Sequence, residues 1–167
     1  MNLDKEFWYS AYQPNTDLTP EIVQKAEALL GLKLPASYIN LLNIQNGGET
    51  QGLVCPTTVK TSWADNHVSV EELFGIDLLD GGEETEERDT SEFNILDSIR
   101  FTQEWGLPEN QIVLCGDRNG CITIDYRQEG IEPIVTWLDM EMKEDIQLAE
   151  NFAAFLNKLV PFEKFNG

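Results

Sequence analysis

The side chains that could carry out chemistry are few, and their spacing matches none of the common catalytic patterns. His67 is the one histidine of the chain, so a histidine-rich metal site has no basis in the sequence. Cys115 and Cys121 flank a turn-like stretch, but no further metal ligand accompanies them. No GxSxG segment is present. A catalytic cysteine–histidine pair that includes His67 is an open alternative, but any chain with one histidine and one cysteine offers the same possibility. We interpret His67 as a half-buried strand residue.

Acidic and glycine-rich stretches supply the remaining options. The segment "DLLDGGE" has clustered oxygens without the spacing of a calcium-binding loop. "GDRNG" lacks the GK[ST] ending of a phosphate-binding loop, and a strand pattern follows it, so a hairpin turn is the better interpretation. Asp117 and Asp125 are the carboxylate pair to test for acid–base catalysis, although Asp117 also suits a turn in which it caps backbone amides. The sequence therefore predicts no enzymatic activity, no metal and no other cofactor.

The most unusual global property is the charge, which is −19 from 11 basic and 30 acidic residues. Such a field repels nucleic acid and anionic membranes and attracts basic partners, although acidity that only maintains solubility is the alternative. No apolar run approaches the roughly 18 residues of a membrane span, and the N-terminus lacks a secretory pattern. The three cysteines form no CxxC pair, which favours free thiols in the cytoplasm.

A first helix is predicted from clear boundary signals in a chain expected to form a single domain over residues 1–167. Thr19 suits the N-cap, Pro20 suits the first helical position, and Gly31 ends the helix. The apolar residues that recur at helical spacing, and are therefore predicted to face the core, are Ile22, Ala26, Leu29 and Leu30.

A second helix is predicted to begin at Pro35 and to end before the "QNGG" stretch. Gly47 supplies a left-handed stop, and Asn46 is expected to cap the helix end. We interpret this stretch as structural, with direct partner contact as the alternative. The predicted inward positions are Tyr38, Leu41, Leu42 and Gln45.

Strand patterns dominate the rest of the chain. Candidate strands lie at 52–59 and 67–76, a hairpin at 111–126 is expected at the centre of the sheet, and another strand follows within 131–139. Residues 77–92 hold eight carboxylates and one arginine, which predicts a mobile surface loop. The predicted buried residues are Ile122, Ile124 and Tyr126 in the hairpin, and Leu148, Phe152, Phe155, Leu156 and Leu159 in a final helix over "DIQLAENFAAFLNKLVP".

The order of four segments resembles the SUKH superfamily in its Smi/Knr-type branch. These segments are "LTPEIVQKAEALLGLKLPASYINLLNIQNGG", "GDRNGCITIDYR", "EPIVTWLDME" and "IQLAENFAAFLNKL", and together they cover about residues 18–160. The resemblance implies a single α+β domain in which helices pack on a central, largely antiparallel (mixed) sheet. One departure is the "RNGC" at 118–121, where close relatives often carry Gly-His-aromatic before the "DYR".

The resemblance also implies a function in binding rather than catalysis. Many bacterial members of the superfamily are immunity proteins that neutralise toxins, nucleases prominent among them, and fungal relatives act as signalling scaffolds. We therefore expect a cytoplasmic immunity protein that binds a basic toxin domain, with a scaffold module that has no toxin partner as the alternative. The residues predicted to contact the protein partner are Glu83, Glu84, Glu86, Glu87, Asp89, Trp63, Asp117 and Arg118.

Overall fold

The computed structural model describes residues 7–9, 15–78 and 94–165, which form an α+β structure as predicted. The helices are α1 (Pro20–Leu30), α2 (Ala36–Ile44), α3 (Ser98–Trp105, after a 3-10 turn at Ile95–Asp97), α4 (Phe152–Lys158) and α5 (Phe162–Phe165). The strands are β1 (Gly48–Pro56), β2 (His67–Leu73), β3 (Gln111–Asp117), β4 (Gly120–Asp125), β5 (Ile134–Asp139), β6 (Glu144–Ala149) and β7 (Val160–Pro161).

Helix α1 has the predicted ends but a shifted buried face. The Ile22 N–H donates to the Thr19 side chain at 3.3 Å, and Gly31 closes the helix in the left-handed region with φ 68°. Val23 and Ala26 are buried, whereas Leu29 is 63% exposed, so the prediction for Leu29 was wrong. The helix touches the core over a narrow face, and Leu29 lies beyond its margin.

Helix α2 buries all four of its predicted positions, Tyr38, Leu41, Leu42 and Gln45. Tyr38 is fully buried, and its hydroxyl donates to the Phe74 carbonyl at 2.5 Å, which fixes the helix against the segment after β2. The cap position of the helix is Gln45 rather than Asn46, so the prediction that Asn46 caps the helix was wrong. Asn46 instead binds the backbone of Ile76, and Gly47 follows with φ 90°.

The strands in the described part of the chain form two antiparallel sheets, where the resemblance implied one central sheet. Their orders are β2-β1-β7 and β3-β4-β5-β6. Strand β3 is therefore an outer strand, and the prediction that the 111–126 hairpin lies at the sheet centre holds only for β4. The two sheets approach each other where the Phe74 N–H donates to the Leu114 carbonyl at 2.7 Å.

Both faces of β4 are buried, since all six of its residues are buried. Ile122 and Ile124 are 1% and 0% exposed, as predicted, and Tyr126 is partly buried with its hydroxyl donating to the Lys33 carbonyl. The core joins this sheet to α1, α2, α4 and the inward face of the smaller sheet.

The C-terminal region corrects a further expectation. Residues 144–149 form β6 and pair with β5, so Leu148 lies in a strand rather than in a helix. Helix α4 begins later, where Asn151 accepts a hydrogen bond from the Ala154 N–H at 2.7 Å. The predicted core residues Phe152, Phe155, Leu156 and Leu159 are all buried. None of the helices that the structure describes has the length and apolar character needed to cross a bilayer.

Candidate functional site

An open cleft of about 470 Å³ lies between the two sheets, next to the hydrogen bond that joins Phe74 to Leu114. One wall is the outward side of β2, and the other is the end of the β3–β4 hairpin. The 57–66 loop between β1 and β2 closes one side, and the end of β5 provides Trp137 and Asp139.

The 57–66 loop is fixed by hydrogen bonds that position Trp63. The Thr61 hydroxyl accepts from the backbone N–H groups of Trp63 and Ala64 at 3.1 and 3.2 Å. Ser62 anchors the loop to the other sheet, because its hydroxyl donates to Asp139 at 2.6 Å and its N–H donates to Glu144 at 2.8 Å. The Trp63 side chain is nevertheless 53% exposed and forms part of the cleft wall.

Trp137 packs directly over Gly120, and this contact explains the glycine in the "RNGC" turn. A Cβ added at Gly120 would lie 2.3 Å from the Trp137 ring, so any other residue would displace the indole. The indole N–H donates to Glu144 at 3.0 Å. Burial alone would raise the pKa of Glu144, but its hydrogen bonds from Ser62 and Trp137 outweigh burial and hold that pKa below its usual value.

The cleft is strongly acidic. Carboxylates of Glu71, Glu72, Asp117 and Asp139 line it, and its described lining contains no lysine, arginine or histidine. The Asp117 carboxylate also accepts the Asn119 N–H at 2.7 Å, as predicted for a turn residue. A cation that enters this space meets the exposed carboxylates of Glu71 and Asp117 beside the indole of Trp63, which favours binding of basic groups.

The thiol in the cleft is poorly suited to nucleophilic chemistry. Burial raises the pKa of Cys115 well above its ordinary value, and the neighbouring Glu72 charge raises it further. Cys115 is therefore a protonated thiol near neutral pH. His67 is the first residue of β2, and its ring lies against Phe162 and Phe165 with centroid distances of 5.7 and 5.2 Å.

The structure separates the carboxylate pair that the sequence suggested. Asp117 lies at the turn end of the β3–β4 hairpin, opposite Gly120, whereas Asp125 lies at the open end, opposite Gln111. Asp125 is 2% exposed and accepts hydrogen bonds from Gln111 at 2.8 Å and from Arg127. The two acids therefore do not form a catalytic pair.

The predicted contact residues have different positions. Trp63 and Asp117 both line the cleft, although 54 residues separate them in the chain. Arg118 is exposed in the turn next to Asp117 and does not line the cleft. The predicted contacts Glu83, Glu84, Glu86, Glu87 and Asp89 lie outside the described residues.

Sequence reasoning missed the contributions of β2 and β5 to the cleft. Glu71 alternates with the buried Val70 along β2, and this alternation marks it as an outward residue. Trp137 and Asp139 carry no such signal, because every residue of β5 from Val135 to Asp139 is buried. Their place in the cleft depends on where the 57–66 loop contacts the larger sheet.

The fold and the site together define the class of this protein: an α+β protein in which an acidic cleft lies between two antiparallel sheets. Comparison with protein-family models matches residues 17–158 to the SMI1 / KNR4 family (SUKH-1), and the chain belongs to this family. Comparison with curated proteins finds no match.

Proposed function

We propose that this chain is a non-catalytic binding protein of the cytoplasm that neutralises a toxin by occupying its basic surface. The observation that carries the proposal is the cleft, in which four acidic residues and the exposed Trp63 line one space without a basic residue in the described lining. Family membership supports a role in protein–protein interaction. A nuclease is the toxin class best suited to such an inhibitor, because its phosphate-binding site is basic.

Charge supports both the choice of partner and the speed of binding. A net charge of −19 creates a long-range field that attracts a basic protein and raises its association rate. The same field disfavours nucleic acid and anionic lipid as ligands. A toxin must be captured quickly, so a charge-steered inhibitor is physically well matched to this task.

The absence of an activated group in the described site supports binding over catalysis. Cys115 is held protonated, Asp117 and Asp125 lie at opposite ends of their hairpin, and His67 packs against two phenylalanine rings. In the described residues, no group of three or more histidine, cysteine or acidic side chains is placed to hold a metal ion.

The first test is the gene neighbourhood followed by growth rescue. We expect a large secreted protein with a C-terminal toxic module to be encoded beside this chain. That module should arrest growth when expressed in a bacterial host, and coexpression of this chain should restore growth.

Charge-reversal variants make the test specific to the cleft. The double variant Glu71→Lys/Asp117→Lys should abolish rescue, whereas Glu109→Lys/Glu129→Lys has the same net charge, lies on exposed sites outside the cleft and should rescue normally. Equal rescue by both variants would reject the cleft as the binding site. If no toxic neighbour exists, or if rescue fails with the unmodified chain, a scaffold module without a toxin partner becomes the better interpretation.

A further inference from the structure

The cleft continues into a second groove of about 530 Å³ on the outward side of the smaller sheet. The two spaces share three lining residues, Trp63, Ser69 and Glu71. From these shared walls we infer that both grooves form one peptide-binding surface, and that its occupant is an extended segment of the partner with a large apolar side chain two positions from a basic one. The inference rests on the proposed function only for the basic character of the partner.

The two halves of this surface differ in chemistry. The lining of the second groove includes Leu53, Val54 and Phe162, together with His67 and one carboxylate, Glu71. Phe162 is 44% exposed, so the groove presents apolar surface to a ligand. The cleft, in contrast, has four carboxylates in its lining. An apolar side chain is therefore accommodated in one half and a cationic side chain in the other.

Trp63 stands at the junction of the two halves. Its half-exposed indole borders both spaces, and its backbone is held by Thr61. A guanidinium stacked on this ring gains a cation–π interaction while it donates hydrogen bonds to a carboxylate such as Glu71. Arginine satisfies both contacts better than lysine, because its planar group stacks and donates at once.

An extended segment matches the spacing of the shared residues. Ser69 and Glu71 are two positions apart on β2, so their side chains leave the same face of the strand about 7 Å apart. Alternate side chains of an extended ligand have the same period. A residue in the apolar groove and a second residue two positions along would therefore reach the two halves together.

Charge decides against the competing occupants. A second copy of this chain carries the same charge of −19 and offers 11 basic residues against 30 acidic ones, so self-association through an acidic cleft is disfavoured. A nucleic acid or phosphorylated ligand meets the same repulsion. A basic peptide is the occupant that the carboxylates favour.

The inference is tested with N-acetylated, C-amidated peptides on the full chain, followed by amide and indole NMR shifts. The panel contains one Phe and one Arg at spacings of one, two and three residues in glycine backgrounds, in both orders. Matched peptides replace Arg with the neutral isostere citrulline, or Phe with Ala. The peptide with spacing two should bind best and shift the signals of Trp63, Glu71 and Asn119. Citrulline in place of Arg should weaken binding about tenfold.

Protein variants test which half of the surface binds the Arg side chain and which half binds the Phe side chain. Glu71→Gln should weaken the Arg peptide about tenfold and leave the citrulline peptide unchanged, with Glu109→Gln as the control. Phe162→Ala should remove the advantage of Phe over Ala, with the exposed Ile131→Ala as the control. Two results would overturn the inference: no saturable shift for any peptide up to about 10 mM, or equal binding of the Arg and citrulline peptides.

The peptide experiment and the growth-rescue experiment test the two proposals separately, so that one proposal can be rejected while the other is kept. Peptide binding without rescue would leave the surface in place and reject the toxin as the partner. Rescue that depends on Glu71 and Asp117, without any selectivity for the Phe and Arg pair, would keep the proposed function and reject the two-part ligand.

Discussion

The carboxamide of Asn46 pairs with the backbone of Ile76 in the way that a neighbouring strand would. The Ile76 N–H donates to Asn46 Oδ1 at 2.8 Å, and Asn46 Nδ2 donates to the Ile76 carbonyl at 2.9 Å. Nδ2 also donates to the Thr16 carbonyl at 2.7 Å. Asn46 itself is fully buried, and its side chain connects the chain segments around residues 16, 46 and 76.

Asn46→Ala should lower the free energy of unfolding by about 2–4 kcal/mol, because the buried backbone N–H and carbonyl of Ile76 would both lose their Asn46 partner. Urea unfolding followed by circular dichroism measures this loss. The control is Asn43→Ala, an exposed position in the last turn of α2, where we expect a change below about 0.5 kcal/mol. Similar small losses in both variants would show that the Asn46 bridge adds little to stability.

Gly47 is required for two reasons that a pair of variants can separate. Its φ of 90° disfavours any β-branched residue, and an added Cβ would lie 2.9 Å from the Gly75 backbone nitrogen. Gly130 has a similar φ of 79° with open space around it. Gly130→Val should therefore cost about 1–3 kcal/mol from backbone strain alone, and Gly47→Val should cost more. Equal losses in thermal or urea unfolding would mean that the chain relaxes around the Gly75 contact. If Gly47→Val kept its stability but lost partner binding, the "QNGG" stretch would be a contact surface.

Ile124 tests the register of the hairpin. It is fully buried in β4, where it pairs with Ile112 and Val135. Ile124→Ala should cost about 2–5 kcal/mol, the range for a large-to-small change in a core. Ile131→Ala is the control, since Ile131 is 56% exposed. A loss below about 0.5 kcal/mol for Ile124→Ala in urea unfolding would contradict the burial of this strand.

The sequence predicted a helix correctly where capping residues next to it in the chain determine its ends. Thr19, Pro20 and Gly31 bound α1 as predicted. Strand β6 could not be separated from α4 in this way, because "DIQLAENF" carries apolar residues at both strand and helix spacing. Pairing with β5 decides the outcome, and that pairing is a tertiary effect.

The cleft was predictable only in part for a related reason. Trp63 and Asp117 were both predicted from the sequence as partner contacts, and the structure brings them to one site. Trp137 and Asp139 become part of that site because Ser62 crosses to the larger sheet and binds Asp139. A contact between residues 77 positions apart has no local signature in the chain.

A buried polar cluster around Asp125 connects the strands of the larger sheet. The Asp125 carboxylate accepts hydrogen bonds from Gln111 at 2.8 Å, Thr136 at 3.0 Å and the Arg127 guanidinium. Arg127 also binds Asp145 through two hydrogen bonds of 2.6 and 2.8 Å. The cluster therefore links β3, β4, β5 and β6 through one carboxylate and one guanidinium.

This cluster predicts a specific dependence of stability on pH. Burial alone would raise the pKa of Asp125, but the hydrogen bonds from Arg127, Gln111 and Thr136 outweigh burial and hold that pKa below its ordinary value. A carboxyl whose pKa is lowered by folding contributes stability above its unfolded pKa of about 3.9 and loses that stability as the pH falls through the lower folded pKa. The stabilisation should therefore be complete at pH 7 and decline below about pH 4.

Asp125→Asn should reveal this contribution directly. At pH 7 the variant should unfold with a free energy about 2–4 kcal/mol lower than the unmodified chain, because the amide cannot accept all the hydrogen bonds and Arg127 loses a charge partner. The difference should shrink as the pH falls below about 4, because the native carboxyl contributes less and less stability as it takes up a proton. Urea unfolding at a series of pH values measures it, and Asp65→Asn, at an exposed ion pair with Lys60, should show a difference near zero throughout. A difference between Asp125→Asn and the unmodified chain that stays constant from pH 7 to 2.5 would show that the Asp125 charge does not stabilise the fold.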